Sequence, residues 1–238
     1  MASQFGILSK LEFLQSWSSR IIAGINPAII HNLEKYYVLK KVHYLSAIED
    51  VAGDYLEFGV FTGSSFCHSI RCSQKVRYLN SSVSLTKFFG FDSFSGFGEI
   101  TAEDQHSFYT DENFDTDLEK VERRVQKVAK NTTFKLVPGF FRESLSLGPS
   151  SLGIEKARIV FVDSDTYSSS SEALTFCESI VQLGTFIILD DYYSYKGSSL
   201  KGVTKAFDEF LDHTGIKVRR VFTYGMGGAV FVVSEVKE

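Results

Sequence analysis

The chain has 238 residues, a formal net charge of -4, a hydrophobic fraction of 44% and a charged fraction of 23%. That length suffices for one large domain with a buried core, and the mild acidity speaks against a nucleic-acid partner. Cys67, Cys72 and Cys177 form no CxxC pair, which argues against a disulfide framework or zinc and for reduced core thiols in a cytoplasmic protein.

The first fifty residues read as helical. Ser3 to Arg20 is broken by Lys10, Glu12 and Gln15, and Ile21 to Ile30 by Gly24, Asn26 and Pro27. Neither stretch reads as a signal peptide, and neither supplies the roughly twenty apolar residues of a membrane span. Asn26-Pro27 is a helix start, with proline at the first helical position. Ile30, Leu33, Tyr37, Tyr44 and Ile48 then recur at helical spacing and predict one apolar face. The expectation is a helical extension over residues 1–50, lying as a lid on a core over 51–238.

From Gly53 onward, strands alternate with helices. Strands are predicted at Tyr55 to Val60, Lys87 to Phe91, Thr133 to Val137, Ala157 to Val162 and Thr185 to Leu189. A polar loop runs from Ser93 to about Phe114. Thr116 to Glu119 matches a capping box, and Leu118, Val121, Val125 and Val128 stripe the helix it opens. Leu174, Cys177 and Val181 mark another helix, with Gly184 as its stop. Leu200, Val203, Phe207 and Phe210 mark a further one, ending near Gly215. Val218 to Phe222 and Ala229 to Val233 close the chain as a hairpin around Gly225 to Gly228. Apolar strands alternating with helices predict an α/β fold: a mostly parallel sheet covered on both faces, with an antiparallel edge.

Ligands in such sheets bind beyond the carboxyl ends of the strands. The first strand runs into Glu57-Phe58-Gly59-Val60-Phe61-Thr62-Gly63-Ser64. The glycines allow close backbone approach, and the following helix offers free N–H groups. Glu57 would repel a pyrophosphate but attract a cationic cofactor such as S-adenosylmethionine. Asp92 ends the second strand, where a carboxylate can take both ribose hydroxyls of an adenosine. Candidate cofactor contacts are therefore Glu57, Phe58, Gly59, Thr62, Gly63 and Ser64, with Asp92 and Ser93 opposite. The plain alternative is that Glu57 and Asp92 only cap neighbouring helices.

Two further strands end in Asp163-Ser164-Asp165 and Asp190-Asp191. Adjacent parallel strands bring these acids together, and such a cluster calls for a neutralising cation. Oxygen-only ligands suit Mg²⁺, so Asp163, Asp190 and Asp191 are candidate metal ligands. Asp165 reads as the cap of the next helix. Asp163-Ser164-Asp165 also fits the DxD of a metal-dependent glycosyltransferase, and more weakly of a phosphatase. A non-catalytic adenosine-binding module stays open as well.

The runs YLEFGVFTGSSF, GFDSF, FVDSDTY and LDDYYSYKG, in this order, resemble the macrocin O-methyltransferase-like (TylF-type) family over about residues 33 to 235. The resemblance implies a class I, Rossmann-like methyltransferase with a seven-stranded sheet. It implies S-adenosylmethionine and Mg²⁺-dependent methylation of a hydroxyl on a sugar or glycosylated small molecule. On that pattern Glu57, Gly59 and Gly63 line the methionine end of the cofactor and Asp92 the ribose. Asp163, Asp190 and Asp191 hold the metal. The arrangement is also similar to catechol-type O-methyltransferases, but Thr166 stands where those enzymes carry a lysine.

A hydroxyl nucleophile needs a proton acceptor. His106, in the Ser93–Phe114 loop, is the base candidate beside Asp163. His31, His43, His68 and His213 read as helix residues without catalytic context. Tyr109, Tyr167, Tyr192, Tyr193 and Tyr195 are candidates to line an acceptor pocket. The sequence is compatible with a homo-oligomer and does not name the acceptor.

Overall fold

The computed structural model describes residues 10–98, 100–109 and 114–236. The first nine residues of the expected lead-in, and part of the Ser93–Phe114 loop, lie outside them. Two helices open the described chain, α1 (Glu12–Gly24) and α2 (Pro27–Ile48). Then come β1 (Asp54–Phe58), α3 (Ser64–Val76), the short α4 (Ser82–Leu85), β2 (Phe88–Asp92), α5 (Leu118–Ala129) and β3 (Phe134–Pro138). The one-turn α6 (Phe141–Ser144), β4 (Ala157–Val162), α7 (Tyr167–Cys177), β5 (Phe186–Leu189), α8 (Ser194–Gly197), α9 (Gly202–Thr214), β6 (Lys217–Tyr224) and β7 (Gly228–Glu235) complete it.

The strands form one seven-stranded sheet in the order β3-β2-β1-β4-β5-β7-β6. β1 to β5 pair in parallel, whereas β7 is antiparallel to both β5 and β6. This is the expected α/β architecture. Chain order reverses between β1 and β4, so the crevice lies above their carboxyl ends.

Side chains of a strand alternate between faces, and both faces here are apolar. Leu56, Phe58, Val160, Val162, Ile187 and Leu189 pack with Ala173, Leu174 and Phe207 of α7 and α9. Tyr55, Phe88, Ile159, Phe161 and Ile188 pack with Val38, Leu39, Val42, Phe66 and Ile70 of α2 and α3. Each fully buried side chain of this size contributes about 1.5–3 kcal/mol over leaving it exposed. Among the described residues, no helix is long and apolar enough to cross a membrane.

Several local expectations are corrected. Asn26 does cap α2, accepting from the Ala28 N–H at 2.9 Å with Pro27 at the first position. The face that α2 buries is Lys35, Val38, Leu39, Val42, His43, Ser46 and Ala47; Leu33, Tyr37, Tyr44 and Ile48 are exposed. The helix carries two apolar stripes, and packing on the sheet selects the other one. The cap of α5 is Asp117, not Thr116: its side chain accepts from the Lys120 N–H. α7 ends at Cys177, before Val181. Gly184 is not its stop but a turn residue at φ +86°, with no room for a Cβ beside Val51. Leu200 is exposed and precedes α9, which does end at a left-handed Gly215.

Candidate active site

Parallel pairing aligns the strand ends. The Asp163 N–H donates to the Phe58 carbonyl at 2.8 Å, and the Asp190 N–H to the Val162 carbonyl at 3.0 Å. The residues just past β1, β2, β4 and β5 thus stand in one row. Above them opens a cavity of about 890 Å³. Gly59, Thr62, Ser64, Asp92, Ser93, His106, Asp163, Asp190 and Asp191 all line it. Glu57, Phe58 and Gly63 do not border it.

Strand parity explains the absence of Glu57 and Phe58. Glu57 shares a face with Tyr55, so it points under α3 and is fully buried. There the Tyr55 hydroxyl donates to one carboxylate oxygen and the Ser65 hydroxyl to the other, at 2.6 Å. Burial outweighs these bonds and pushes the Glu57 carboxyl up to about 7. Glu57 therefore does not face the cavity in which it was expected to meet a cationic cofactor. Phe58 points to the opposite face and stacks on Phe91, with ring centroids 4.8 Å apart.

The two glycines are required by the protein itself. A Cβ on Gly59, at φ +95°, would lie 1.8 Å from the Asp163 carbonyl oxygen. Gly63, at φ +75°, caps α3 and would press on Val121.

Asp92 lines the cavity, yet its carboxylate already serves the backbone. One oxygen accepts from the Val60 and Phe61 N–H groups, both at 2.7 Å, and the other from Phe94 N–H at 2.6 Å. A carboxylate offers about four acceptor sites, so one is left for a ligand. Burial still holds its pKa above the usual range. Asp92 is thus first the clamp of the loop after β1. Ser93 donates its hydroxyl to the Gly96 carbonyl at 2.6 Å.

On the other side, Asp163, Asp190 and Asp191 offer carboxylate oxygens within 4.8 Å of one another. Asp163 follows Phe161 by two and Asp190 follows Ile188 by two, so both side chains turn toward α2. That helix answers with two residues to which the sequence reading gave no role. The Lys35 ammonium lies 2.9 Å from Asp163 Oδ2 and 2.6 Å from Asp190 Oδ2. His31 Nε2 lies 3.0 Å from Asp190 Oδ2, while His31 Nδ1 accepts from the Met226 N–H at 3.1 Å. With Nδ1 accepting, Nε2 is the nitrogen that donates to Asp190. The Tyr224 hydroxyl donates to Asp190 Oδ1 at 2.5 Å. The signal for these residues was their i, i+4 spacing on a helix expected over the site.

The acids divide by environment. Although burial acts against it, Asp190 is held well below the ordinary carboxylate range by Lys35 and His31. Burial first, then the charge of Asp190, pushes Asp163 well up, and the same two causes raise Asp191. Asp165 is not the cap of α7; Thr166 is, accepting from the Ser169 N–H at 3.3 Å. Asp165 sits at φ +62° and lines the cavity. Burial and the facing Asp191 drive its pKa well up.

His106 lines the cavity, its ring centroid 4.5 Å from that of Tyr109. Its Nδ1 accepts from the Phe108 N–H at 3.2 Å. Tyr109 donates to Asp191 Oδ1 at 3.1 Å and ties the loop to the acids. Of the five tyrosines considered, Tyr109 alone borders the cavity. Tyr192 packs on Phe207 and Phe231, Tyr195 donates to the Asp104 carbonyl, Tyr167 donates to Glu209, and Tyr193 meets Arg220. His43 and His68 are packed in the helices; His213 is exposed.

The order of motifs now has a fold and a site behind it, and the sequence matches the Macrocin-O-methyltransferase (TylF) family over residues 34–222. The chain belongs to this family of O-methyltransferases. It is 26% identical over 225 residues to mycinamicin III 3''-O-methyltransferase of Micromonospora griseorubida, covering 89% of this chain and 81% of that protein. Among solved structures it is similar to the O-methyltransferase NovP, at 20% identity and a TM-score of 0.66, over 84% of this chain and 79% of the other. It is also similar to CalS11, a calicheamicin methyltransferase, at 18% identity and a TM-score of 0.64, over 81% and 76% of the two chains.

Proposed function

We propose that this family member transfers a methyl group from S-adenosylmethionine to a hydroxyl of a sugar or glycosylated small molecule, with a divalent ion such as Mg²⁺ at Asp163, Asp190 and Asp191. The carrying observation is that one cavity joins the loop after β1 to the acids after β4 and β5. Its size is within the range of small-molecule sites, about 300–1,000 Å³, and leaves room for a cofactor beside an acceptor. Names of two relatives, a 3''-O-methyltransferase and a calicheamicin methyltransferase, support the same class of reaction.

The residues fit both groups. At one end, Phe61 and Phe140 give apolar walls, and Ser64 and Ser65 open α3 toward the cavity. Thr62, Asp92 and Ser93 supply polar contacts beside the Gly59 backbone, and Gly63, Glu57 and Phe58 hold the loop from behind. S-adenosylmethionine supplies a methyl on a sulfonium. At the other end, four carboxylates face one ammonium, an excess of negative charge that calls for a further cation. A bound divalent ion lowers the pKa of an acceptor hydroxyl.

The chain's own groups orient the acceptor oxygen against the methyl. Methylation of the acceptor oxygen would release the hydroxyl proton, which a base of this chain would take up. His106 is that base in this reading; to accept at Nδ1 it must release the Phe108 N–H. Asp165, which lines the same cavity, is a second candidate acceptor. The buried free thiols suit a cytoplasmic setting.

Calorimetry tests the assignment. Micromolar binding of S-adenosylmethionine or its demethylated product, without binding of UDP-sugars, is expected. The reverse result would overturn the reading in favour of a DxD glycosyltransferase. Turnover that persists in EDTA would remove the divalent ion alone.

A further inference from the structure

We infer that Lys35 is a positioning residue that sets how tightly the acidic cluster holds a divalent ion, because its ammonium already occupies carboxylate oxygens the ion needs. The inference rests on the metal reading above.

A lysine on the buried face of α2 requires a reason, since lysine is almost never buried unpaired. Lys35 is 8% exposed, and its neighbours on that face are Val38, Leu39 and Val42. Its partners are Asp163 Oδ2 at 2.9 Å and Asp190 Oδ2 at 2.6 Å. Asp190 also accepts from His31 and Tyr224. Three donors of this chain thus act on Asp190 before any ion arrives.

The helix that carries the ammonium is itself held in place. α2 is pinned at the adjacent residue, where Glu34 accepts from the Gly225 N–H at 2.6 Å, and one turn earlier, where His31 accepts from the Met226 N–H. A Cβ on Gly225 would collide with the His31 ring, so the β6–β7 turn is shaped to receive the helix. A dication at Asp163 and Asp190 therefore binds beside a buried positive charge, and like charges at contact distance repel. By reciprocity, an ion that weakens the hold of Lys35 weakens the seating of α2, and firm seating of α2 weakens the ion.

The test is Mn²⁺ binding by calorimetry, with electron paramagnetic resonance as a check, on the full chain and on Lys35→Met, Lys35→Gln and Lys35→Arg. The neutral variants should bind Mn²⁺ at least about tenfold more tightly than the wild type. Lys35→Arg, which keeps the charge, should stay within about threefold. Should Lys35→Met fail to fold, Lys35→Gln, which retains a donor, makes the comparison. In the wild type, saturating Mn²⁺ should speed amide hydrogen exchange over residues 27–36. Unchanged or weaker Mn²⁺ binding in the neutral variants, or unchanged exchange, overturns the role of Lys35 while leaving the metal reading intact. No Mn²⁺ binding by any of the four proteins overturns both.

Discussion

The two halves of the cavity handle acidic residues in opposite ways. After β1 and β2, Glu57 and Asp92 are nearly satisfied by their own surroundings: two hydroxyls serve Glu57 and three backbone N–H groups serve Asp92. After β4 and β5, four carboxylates crowd around the single ammonium of Lys35, and Asp163, Asp165 and Asp191 are pushed upward by burial and by the neighbouring acids. A strand-end carboxylate thus builds the protein where only hydrogen-bond donors surround it, and asks for a further cation where other carboxylates crowd it.

The sharpest way to break this contrast is on the unsatisfied side. Asp191→Ala should lower turnover by about 10³-fold while leaving cofactor affinity nearly intact, read by a methyl-transfer assay beside calorimetry. If cofactor binding falls as steeply, the two halves are not separate. His106→Ala should lower kcat by about 10²-fold if His106 takes the proton; an unchanged rate, with a fall in Asp165→Asn, would move that role to Asp165.

On the satisfied side, Asp92→Asn puts an amide where two N–H donors converge. Affinity for S-adenosylmethionine should drop by about 2 kcal/mol through the loosened loop, with Mn²⁺ binding unchanged. Glu57→Gln probes stability instead. The folded-state value of about 7 lies above the ordinary 4.5, so the acid is carried by both folded and unfolded chains below pH 4.5. Between pH 4.5 and 7 the unfolded chain ionises alone, and the wild type loses stability as pH rises. Denaturant melts should therefore show the variant gaining on the wild type by about 3 kcal/mol above pH 7, with no gain at pH 4. A gain that does not vary with pH would mean that Glu57 stays ionised in the fold. The smallest effect is expected for Thr166→Ala, about 1 kcal/mol of stability from the lost α7 cap, measurable as a shift in the melting curve.

Much of this was legible in the chain. Apolar strands between amphipathic helices dictate the layered sheet, because backbone groups buried on both faces must pair with one another. The strand ends placed Asp92, Asp163, Asp190 and Asp191 on one edge, and motif order gave the family. Local periodicity could not choose between the two stripes of α2, since each satisfies a helical repeat. Docking of α2 on the sheet chose one, and that choice carried His31 and Lys35 to the acids. Likewise Glu57 lay at the right strand end but on the covered face. Its charge was visible in the sequence; whether that charge met a ligand or a hydroxyl depended on the α3 side chains packed above it. Sequence determines which groups reach the edge of the sheet. The tertiary structure decided which were already satisfied there, because the donors come from elements remote in the chain.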